Sequence, residues 1–410
     1  MVLKSPRTNK RLFRTETQFV RWLQTRMPRG TRGLKLGIGD DAAVVRPSAG
    51  CDLVLKSDMS IEDVHFSLAL HPAASVGHRA LARPLSDIAA MGGIPKFVLV
   101  SLALSDRTKT SWIKGFYNGL SATARRFGVS LVGGDTARAR GHVYIDVVAI
   151  GEVLHGRAVA RSGARPGDQI YVSGRLGVSA LGLHLLKSRL SDSARSSHGG
   201  RLSHREKKSP ASLETGGTGI ELQSSGAARA VQHHLYPEPR CALGRFLADH
   251  RLASAMIDIS DGLSTDLNHL CTSSGTGAYV WANLIPGPEM RTAAGRGPTQ
   301  PIPQADPSTG NTNTAIFPAD SLELALHGGE DYELLFTVRK RKLSQVPGDF
   351  EGLPLHRIGE IHRSKDVRLV YPDGRRLTLH PGGYDHFRRD HGSQDKGEAG
   401  SKRLTNVQNH

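Results

Sequence analysis

Seven aspartates of this chain stand in short apolar or glycine-rich segments. These segments are Gly39-Asp40-Asp41, Lys56-Ser57-Asp58, Leu85-Ser86-Asp87, Gly133-Gly134-Asp135 and Asp258-Ile259-Ser260-Asp261. A carboxylate is costly to bury in such surroundings unless several of them converge on hard divalent cations that carry a polyphosphate. The pattern therefore requires a fold that brings distant segments together, and it favours a Mg²⁺-dependent nucleotide enzyme.

Several nucleotide-binding motifs are absent from the sequence, and their absence limits how a nucleotide could be bound. The sequence has no phosphate loop of the Gly-x-x-x-x-Gly-Lys-Ser/Thr type, no Gly-x-Gly-x-x-Gly fingerprint and no protein-kinase catalytic loop. ATP would then be held mainly through Mg²⁺ and carboxylates. We interpret Gly133-Gly134-Asp135 as a glycine turn after a short strand, with an ordinary turn as the alternative. For Asp87, a helix cap after Pro84 is the alternative to metal binding.

The formal net charge of +16 raises the question of a nucleic-acid partner. Much of this charge lies in residues 4–14, 187–208 and the C-terminal tail, and aromatic residues make up only 5% of the chain. Bases stack on aromatic side chains in proteins that bind single strands, and these basic stretches have none interleaved. We therefore expect no nucleic-acid partner; a basic nucleic-acid-binding protein on an old enzyme scaffold is the non-enzymatic alternative.

Cysteine usage and hydropathy indicate the compartment. Cys51, Cys241 and Cys271 are too few and too scattered for a disulfide framework or a zinc site. No apolar run approaches the length that spans a bilayer, and no apolar region follows the charged N-terminus. We expect a soluble cytoplasmic protein without a membrane partner.

The 410 residues allow two α/β domains. We expect a flexible basic N-terminus at 1–14, an N-terminal domain at 15–160 and a C-terminal domain at 161–387. In the first domain the pattern predicts strands at 53–59, 97–104, 130–132 and 142–153 and helices at 74–91 and 111–127. In the second it predicts strands at 169–173, 255–260 and 332–338, helices at 263–273 and 322–326, and a hairpin at 367–379.

Three further stretches lack apolar periodicity. Residues 188–230 are rich in Ser, Gly, Arg and His, and residues 285–318 are rich in Pro, Gly, Thr, Asn and Gln. Neither stretch carries enough apolar surface to offset the entropy of ordering. We expect both to be disordered insertions in the C-terminal domain, and 388–410 to be a disordered tail.

In this order, the acidic segments resemble the thiamine-monophosphate kinase family, which belongs with aminoimidazole ribonucleotide synthetase and selenophosphate synthetase in one superfamily. Gly328-Gly329-Glu330-Asp331-Tyr332-Glu333-Leu334 and Gly383-Tyr384-Asp385-His386-Phe387 add to the resemblance, which covers 15–187 and 231–387. It implies transfer of the γ-phosphoryl group of ATP to thiamine phosphate, giving thiamine diphosphate and ADP. It also implies a two-domain α/β (α+β) aminoimidazole ribonucleotide synthetase-like fold, and a homodimer whose N-terminal sheets pair into a β-barrel.

The resemblance assigns roles to residues. The implied Mg²⁺ contacts are Asp41, Lys56, Ser57, Asp58, Asp87, Asp135, Asp258 and Asp261. The implied ATP contacts are Tyr117, Gly134, Asp135, Arg161 and Ser260, and the implied substrate contacts are His65, Glu330 and Tyr384. No dedicated general base is implied, because the acceptor phosphate oxygen is already anionic.

Two positions depart from the family pattern, since Lys56 stands where Ser or Thr is frequent and Asp63 where glycine is common. A Lys56 contact through its carbonyl would leave the metal sites intact, whereas a contact through its side chain would alter one of them. A different ligase or phosphotransferase of the same superfamily is the alternative function, because the aspartate network serves ATP in all of its members.

Overall fold

The computed structural model describes residues 15–26, 32–198, 224–288 and 319–384. The expectations for 1–14, for 388–410 and for the middle of both insertions lie outside these residues. Within them the chain combines helices and mainly antiparallel sheets, which confirms the α/β (α+β) class. No helix in the described ranges is both long enough and apolar enough to cross a membrane.

The N-terminal part is a four-stranded sheet with helices on one face. Its elements are α1 (Glu16–Arg26), β1 (Leu34–Leu36), β2 (Val44–Val45), β3 (Cys51–Ile61), α2 (Ala73–Ala90), β4 (Ile94–Ser105), α3 (Thr110–Arg126), β5 (Ser130–Ala139) and β6 (Tyr144–Leu154). The strand order in the four-stranded sheet is β3-β6-β4-β5, so β3 is an edge strand, whereas β1 and β2 pair with each other in a separate two-stranded sheet. Alternate residues of β4, such as Val98, Val100 and Leu102, point into a core shared with α2 and α3.

The C-terminal part is built on an eight-stranded sheet. Its strands are β7 (Gln169–Ser173), β8 (Ala253–Ile259), β9 (Gly277–Trp281), β10 (Glu333–Val338), β11 (Asp349–Phe350), β12 (Leu353–His362), β13 (Val367–Val370) and β14 (Arg376–Thr378). The order is β14-β13-β9-β12-β7-β10-β8, with β11 paired to β12. Its helices are α4 (Val178–His198), α5 (Ser224–Leu235), α6 (Cys241–Asp249), α7 (Leu263–Ser274) and α8 (Ala319–His327). The predicted hairpin is confirmed as β13 and β14.

The predicted glycine turn at Gly133-Gly134-Asp135 is wrong, because β5 runs straight through it. Gly134 has φ +148, and a Cβ there would lie 1.9 Å from the Val100 carbonyl oxygen of β4. Only glycine lets the two backbones approach so closely. These glycines therefore serve sheet packing within a long strand, and Asp135 is a strand residue.

Other boundaries also differ from the prediction. Asp58 lies inside β3 instead of at its end, and Pro84 lies inside α2, so Asp87 does not cap a helix that starts there. Residues 188–198 continue α4, and α5 begins at Ser224. The stretch predicted to be disordered, 188–230, therefore includes helical residues at both of its ends.

Candidate active site

Helix α2 carries a polar stripe between the two halves of the molecule. Arg79, Arg83, Ser86 and Asp87 are spaced by four, three and one residues, which puts them on one face of a helix. The opposite face carries apolar residues such as Leu81 that pack in the N-terminal core. Helix α2 also contacts α6 and β8 of the C-terminal part. The stripe therefore lines the boundary between the two parts.

Three carboxylates meet at this stripe. Alternation along β3 directs Lys56 and Asp58 to the face covered by α2. The Lys56 Nζ lies 3.0 Å from Asp87 Oδ2 and 3.8 Å from Asp58 Oδ2. From β8, Asp258 accepts a hydrogen bond of 2.7 Å from the Ser86 hydroxyl. An Arg83 nitrogen lies 3.6 Å from Asp58 Oδ1.

The charges of this cluster are unbalanced. Burial raises the pKa of Asp58 to about 6, although Arg83 and Lys56 act in the opposite direction. Burial, followed by the nearby charge of Asp87, raises the pKa of Asp258 to about 7. Burial would lower the pKa of Lys56, but the charges of Asp87 and Asp58 outweigh it and raise that pKa. When all three carboxylates are ionised, they outnumber the two cationic side chains and the site is net negative.

Such a site fits a magnesium ion. Carboxylate oxygens are the protein ligands that Mg²⁺ prefers, and an added cation would offset the burial and the mutual repulsion that raise these pKa values. Asp58, Asp87 and Asp258 are the residues that would hold it.

The remaining implied ligands lie in other places. Ser57 points to the face of the sheet away from α2, where its hydroxyl donates a hydrogen bond of 2.8 Å to Asp146. Asp135 pairs in register with Ser101, which in turn pairs with Asp146, so Asp135 shares that outer face. The sheet thus separates Ser57 and Asp135 from the cluster. A Ser57 contact to the cluster through its hydroxyl is excluded by this placement.

A loop after β8 brings further implied residues to the boundary. The backbone N–H groups of Ser260, Asp261 and Gly262 each donate a hydrogen bond of 3.1 Å to one oxygen of Asp266 in α7. The N–H of Gly383 donates to Thr265 at 3.1 Å, which brings the chain preceding Tyr384 to the same helix end. Asp266 therefore fixes the loop that carries Ser260 and Asp261.

Glu330 joins this loop to α2. Its N–H donates a hydrogen bond of 2.8 Å to the Ser260 carbonyl, and its carboxylate forms an ion pair with Arg79. Arg79 is 5% exposed and also donates to the carbonyl of His234 in α5. Burial alone would raise the pKa of Glu330, but the charge of Arg79, with those of His234 and Arg83, holds it below its ordinary value. Glu330 is therefore anionic at neutral pH.

His65 lies beside these residues. With Ser60, Phe66, Arg79 and Arg83 it lines a small cavity at the N-terminal side of the boundary. Its Nδ1 accepts a hydrogen bond of 3.1 Å from the N–H of Ile61. The structure thus brings the implied substrate contacts His65 and Glu330 to one place, through Arg79.

Three more implied contacts lie away from the cluster. Tyr117 is 2% exposed and packs in an aromatic group with Phe19, Trp22 and Phe116, where burial raises the pKa of its hydroxyl. Arg161 is an exposed residue of the connection between β6 and β7, and Asp41 is exposed in the loop before β2. Their roles in ATP and metal binding stay predictions.

Sequence reasoning missed the residues that hold the site together, namely Arg79, Arg83, Ser86, His234 and Asp266. The helical spacing of the first three, in a helix that is otherwise mainly apolar, was a usable signal. No local pattern pointed to His234, whose ring nitrogen lies 3.1 Å from that of His71, 163 positions away. Asp266 lies in the first turn of α7, where the helix dipole favours a carboxylate.

The sequence and the fold match known proteins. Residues 39–153 match the family described as AIR synthase related protein, N-terminal domain. The thiamine-monophosphate kinase of Bacillus subtilis (strain 168) is 32% identical over 356 residues, which cover 86% of this chain and 94% of that protein. The crystal structure of thiamine-monophosphate kinase from Stenotrophomonas maltophilia K279a has a TM-score of 0.64 at 30% identity, over 86% of this chain and 94% of that one.

A further solved structure is described as AaThiL complexed with AMPPCP and TMP. It has a TM-score of 0.60 at 28% identity, over 91% of this chain and 97% of that one. Together the fold and the acidic site define an enzyme of the AIR synthase-related class, built to handle a nucleotide. Within that class, the chain belongs to the thiamine-monophosphate kinase family, whose members are ATP-dependent phosphotransferases.

Proposed function

We propose that this chain phosphorylates thiamine phosphate with ATP at the boundary between its two halves, giving thiamine diphosphate and ADP. The observation that carries the proposal is the meeting of Asp58, Asp87 and Asp258 beside the Arg79–Glu330 pair. A site for a phosphate-bearing cation and a site for a cationic acceptor thus lie on one face of α2. The AaThiL structure, described as a complex with AMPPCP and TMP, supports the same pair of substrates.

Some residues of the site would neutralise phosphate charge through Mg²⁺, and others would orient the acceptor. Asp58, Asp87 and Asp258 would hold Mg²⁺, which when bound neutralises the phosphate charge that opposes transfer. Glu330 is anionic and suits contact with the positively charged thiazolium ring of the acceptor. Arg79 holds Glu330 in place, and His65 lines the same cavity. No general base is needed, because phosphoryl transfer depends on alignment and charge neutralisation.

We also propose a homodimer in which the outer faces of the N-terminal sheets meet. Leu53, Leu55 and Met59 of β3 are exposed on that face, with Leu55 66% exposed. Leu55 pairs in register with Ile150, which adds apolar area to that face, while Ser57 and Asp146 make part of it polar. A second copy would cover it and the unpaired edge of β3. The three unpaired cysteines favour a cytoplasmic location.

The reaction is tested by incubating the purified protein with ATP, Mg²⁺ and thiamine phosphate and following thiamine diphosphate by chromatography. Free thiamine is the matched acceptor control. We expect diphosphate from thiamine phosphate alone, with one ADP formed for each product. ATP consumption without diphosphate from either acceptor would refute the proposed substrate and favour a different phosphotransferase of the same superfamily.

A further inference from the structure

Lys56 places a positive charge inside the acidic cluster. It lies on the face of β3 that α2 covers, and its side chain is 34% exposed. Its Nζ is 3.0 Å from Asp87 Oδ2 and 3.8 Å from Asp58 Oδ2. The ammonium group therefore contacts two of the three carboxylates that we assign to Mg²⁺.

An ammonium group and a hard cation compete for the same oxygen lone pairs. Lysine donates up to three hydrogen bonds, whereas Mg²⁺ takes carboxylate oxygens at about 2.0–2.1 Å in a nearly octahedral shell. A tethered ammonium at hydrogen-bond distance from Asp87 leaves no room for a metal ion at that oxygen. Its effective concentration is also high, because β3 holds it there whether or not nucleotide is bound.

We propose that the Lys56 ammonium is a built-in cation that takes the place of one divalent ion at Asp58 and Asp87 in the nucleotide-free protein. The inference deepens the proposed cation site and does not depend on the identity of the acceptor. It assigns to the side chain of Lys56 a role distinct from a backbone contact. A chain with a short neutral residue at position 56 binds one more divalent ion.

The test counts bound ions. Mn²⁺ is titrated near pH 8 into nucleotide-free wild-type protein, Lys56→Met and Lys56→Ser, and free Mn²⁺ is read from its electron paramagnetic resonance signal. Lys96→Met is the matched control, because Lys96 Nζ lies 3.9 Å from Glu152 in the same domain but outside the cluster. We expect one additional Mn²⁺ per chain in both Lys56 variants and the wild-type number in Lys96→Met.

Two more variants test whether a gained ion results from loss of the Lys56 charge and binds at Asp87. Lys56→Arg keeps the charge and should bind the wild-type number of ions. Lys56→Met combined with Asp87→Asn should lose the gained ion, since it lacks the carboxylate that the ammonium held. An unchanged number of ions in both Lys56→Met and Lys56→Ser, each folded by circular dichroism, overturns the proposal even if the affinity changes. A failed kinase assay with a gained ion refutes only the proposed reaction.

Discussion

Two residues close together at the candidate substrate site adopt a backbone conformation that normally belongs to glycine. Glu330 has φ +66 and Tyr332 has φ +54. A residue held in the left-handed region costs about 1 kcal/mol or more. Here the ion pair with Arg79 and the hydrogen bond to Ser260 offset that cost. The strain fixes the direction of the Glu330 carboxylate, which is consistent with a residue that orients a substrate.

At the residue scale we predict that Asp58→Asn and Asp87→Asn each lower kcat/KM for thiamine phosphate by about a hundredfold or more, because each removes a carboxylate proposed to hold Mg²⁺. The measurement is steady-state turnover over a range of Mg²⁺ concentrations. Asp52→Asn is the control, since Asp52 lies on the same strand as Asp58 and contacts exposed His155. Turnover close to wild type in both variants, with the fold intact, would refute the metal assignment.

At the element scale, α6 is anchored to β10 by a buried ion pair. Arg240, the residue before α6, donates a hydrogen bond of 2.8 Å to Glu333, whose side chain is 1% exposed. Glu333 also accepts a hydrogen bond from Ser173 of β7. The pair therefore joins a helix to β10, the strand beside the edge strand β8 of the large sheet.

We predict that Arg240→Met lowers the free energy of unfolding by about 3–5 kcal/mol, because it leaves a buried carboxylate without its partner. Arg245→Met on the same helix is the control. Arg245 is 58% exposed and pairs with Asp249 one turn away, so its loss should cost no more than about 0.5 kcal/mol. Urea unfolding measures both, and equal losses in the two variants would contradict the prediction.

Much of the element pattern was predictable because it is local. Buried and partly exposed residues alternate along much of β4 and β6, and apolar residues of α2 and α3 recur at helical spacing. Each of these patterns can be recognised within one continuous segment of the sequence. Helix α6 was missed although Leu243 and Leu247 repeat at helical spacing. The contacts between residues of the site could not be predicted from the sequence. Arg79 pairs with Glu330 at a separation of 251 positions, and no local sequence pattern indicates a contact between residues so far apart.

At the scale of the whole molecule, the dimer can be tested on the exposed face of β3. We predict that Leu55→Glu raises the dimer dissociation constant by a factor that corresponds to roughly 3 kcal/mol or more, because two symmetry-related leucines lose their burial. Light scattering after gel filtration measures the mass over a dilution series. Leu377→Glu, which alters an exposed leucine of β14, should leave the mass unchanged. A wild-type mass in Leu55→Glu at every dilution would exclude this interface.

The stability of the whole protein should respond to Mg²⁺ in a pH-dependent manner. The folded pKa values of Asp58, about 6, and Asp258, about 7, lie above the ordinary value of 3.8. These two carboxyl groups therefore stabilise the folded protein fully when the pH is below the ordinary pKa of 3.8. This stabilisation is lost as the pH rises through 6 to 7. A bound cation restores it by pairing with the ionised forms.

We therefore predict that Mg²⁺, added in the presence of ATP, raises the melting temperature strongly near about pH 8 and little near about pH 5. Differential scanning fluorimetry with ATP and either Mg²⁺ or a chelator measures this difference. Taking the difference at each pH removes the separate effect of His71 and His234, whose pKa values burial lowers to about 4 and about 3. A shift of equal size at both pH values would contradict the assignment of the cation to these carboxylates.

The two faces of β3 belong to different parts of the proposed enzyme, with Lys56 and Asp58 toward α2 and Leu55 and Ser57 toward the outside. Because strand side chains alternate with a period of two, the number of residues between the start of β3 and Lys56 determines toward which face of the sheet each side chain points. Losing one residue anywhere between 51 and 55 would exchange the two sets and turn Asp58 away from the cluster. In this strand, then, a single substitution such as Asp58→Asn or Leu55→Glu alters one face only, whereas deletion of one residue disrupts the cation site and the dimer face together.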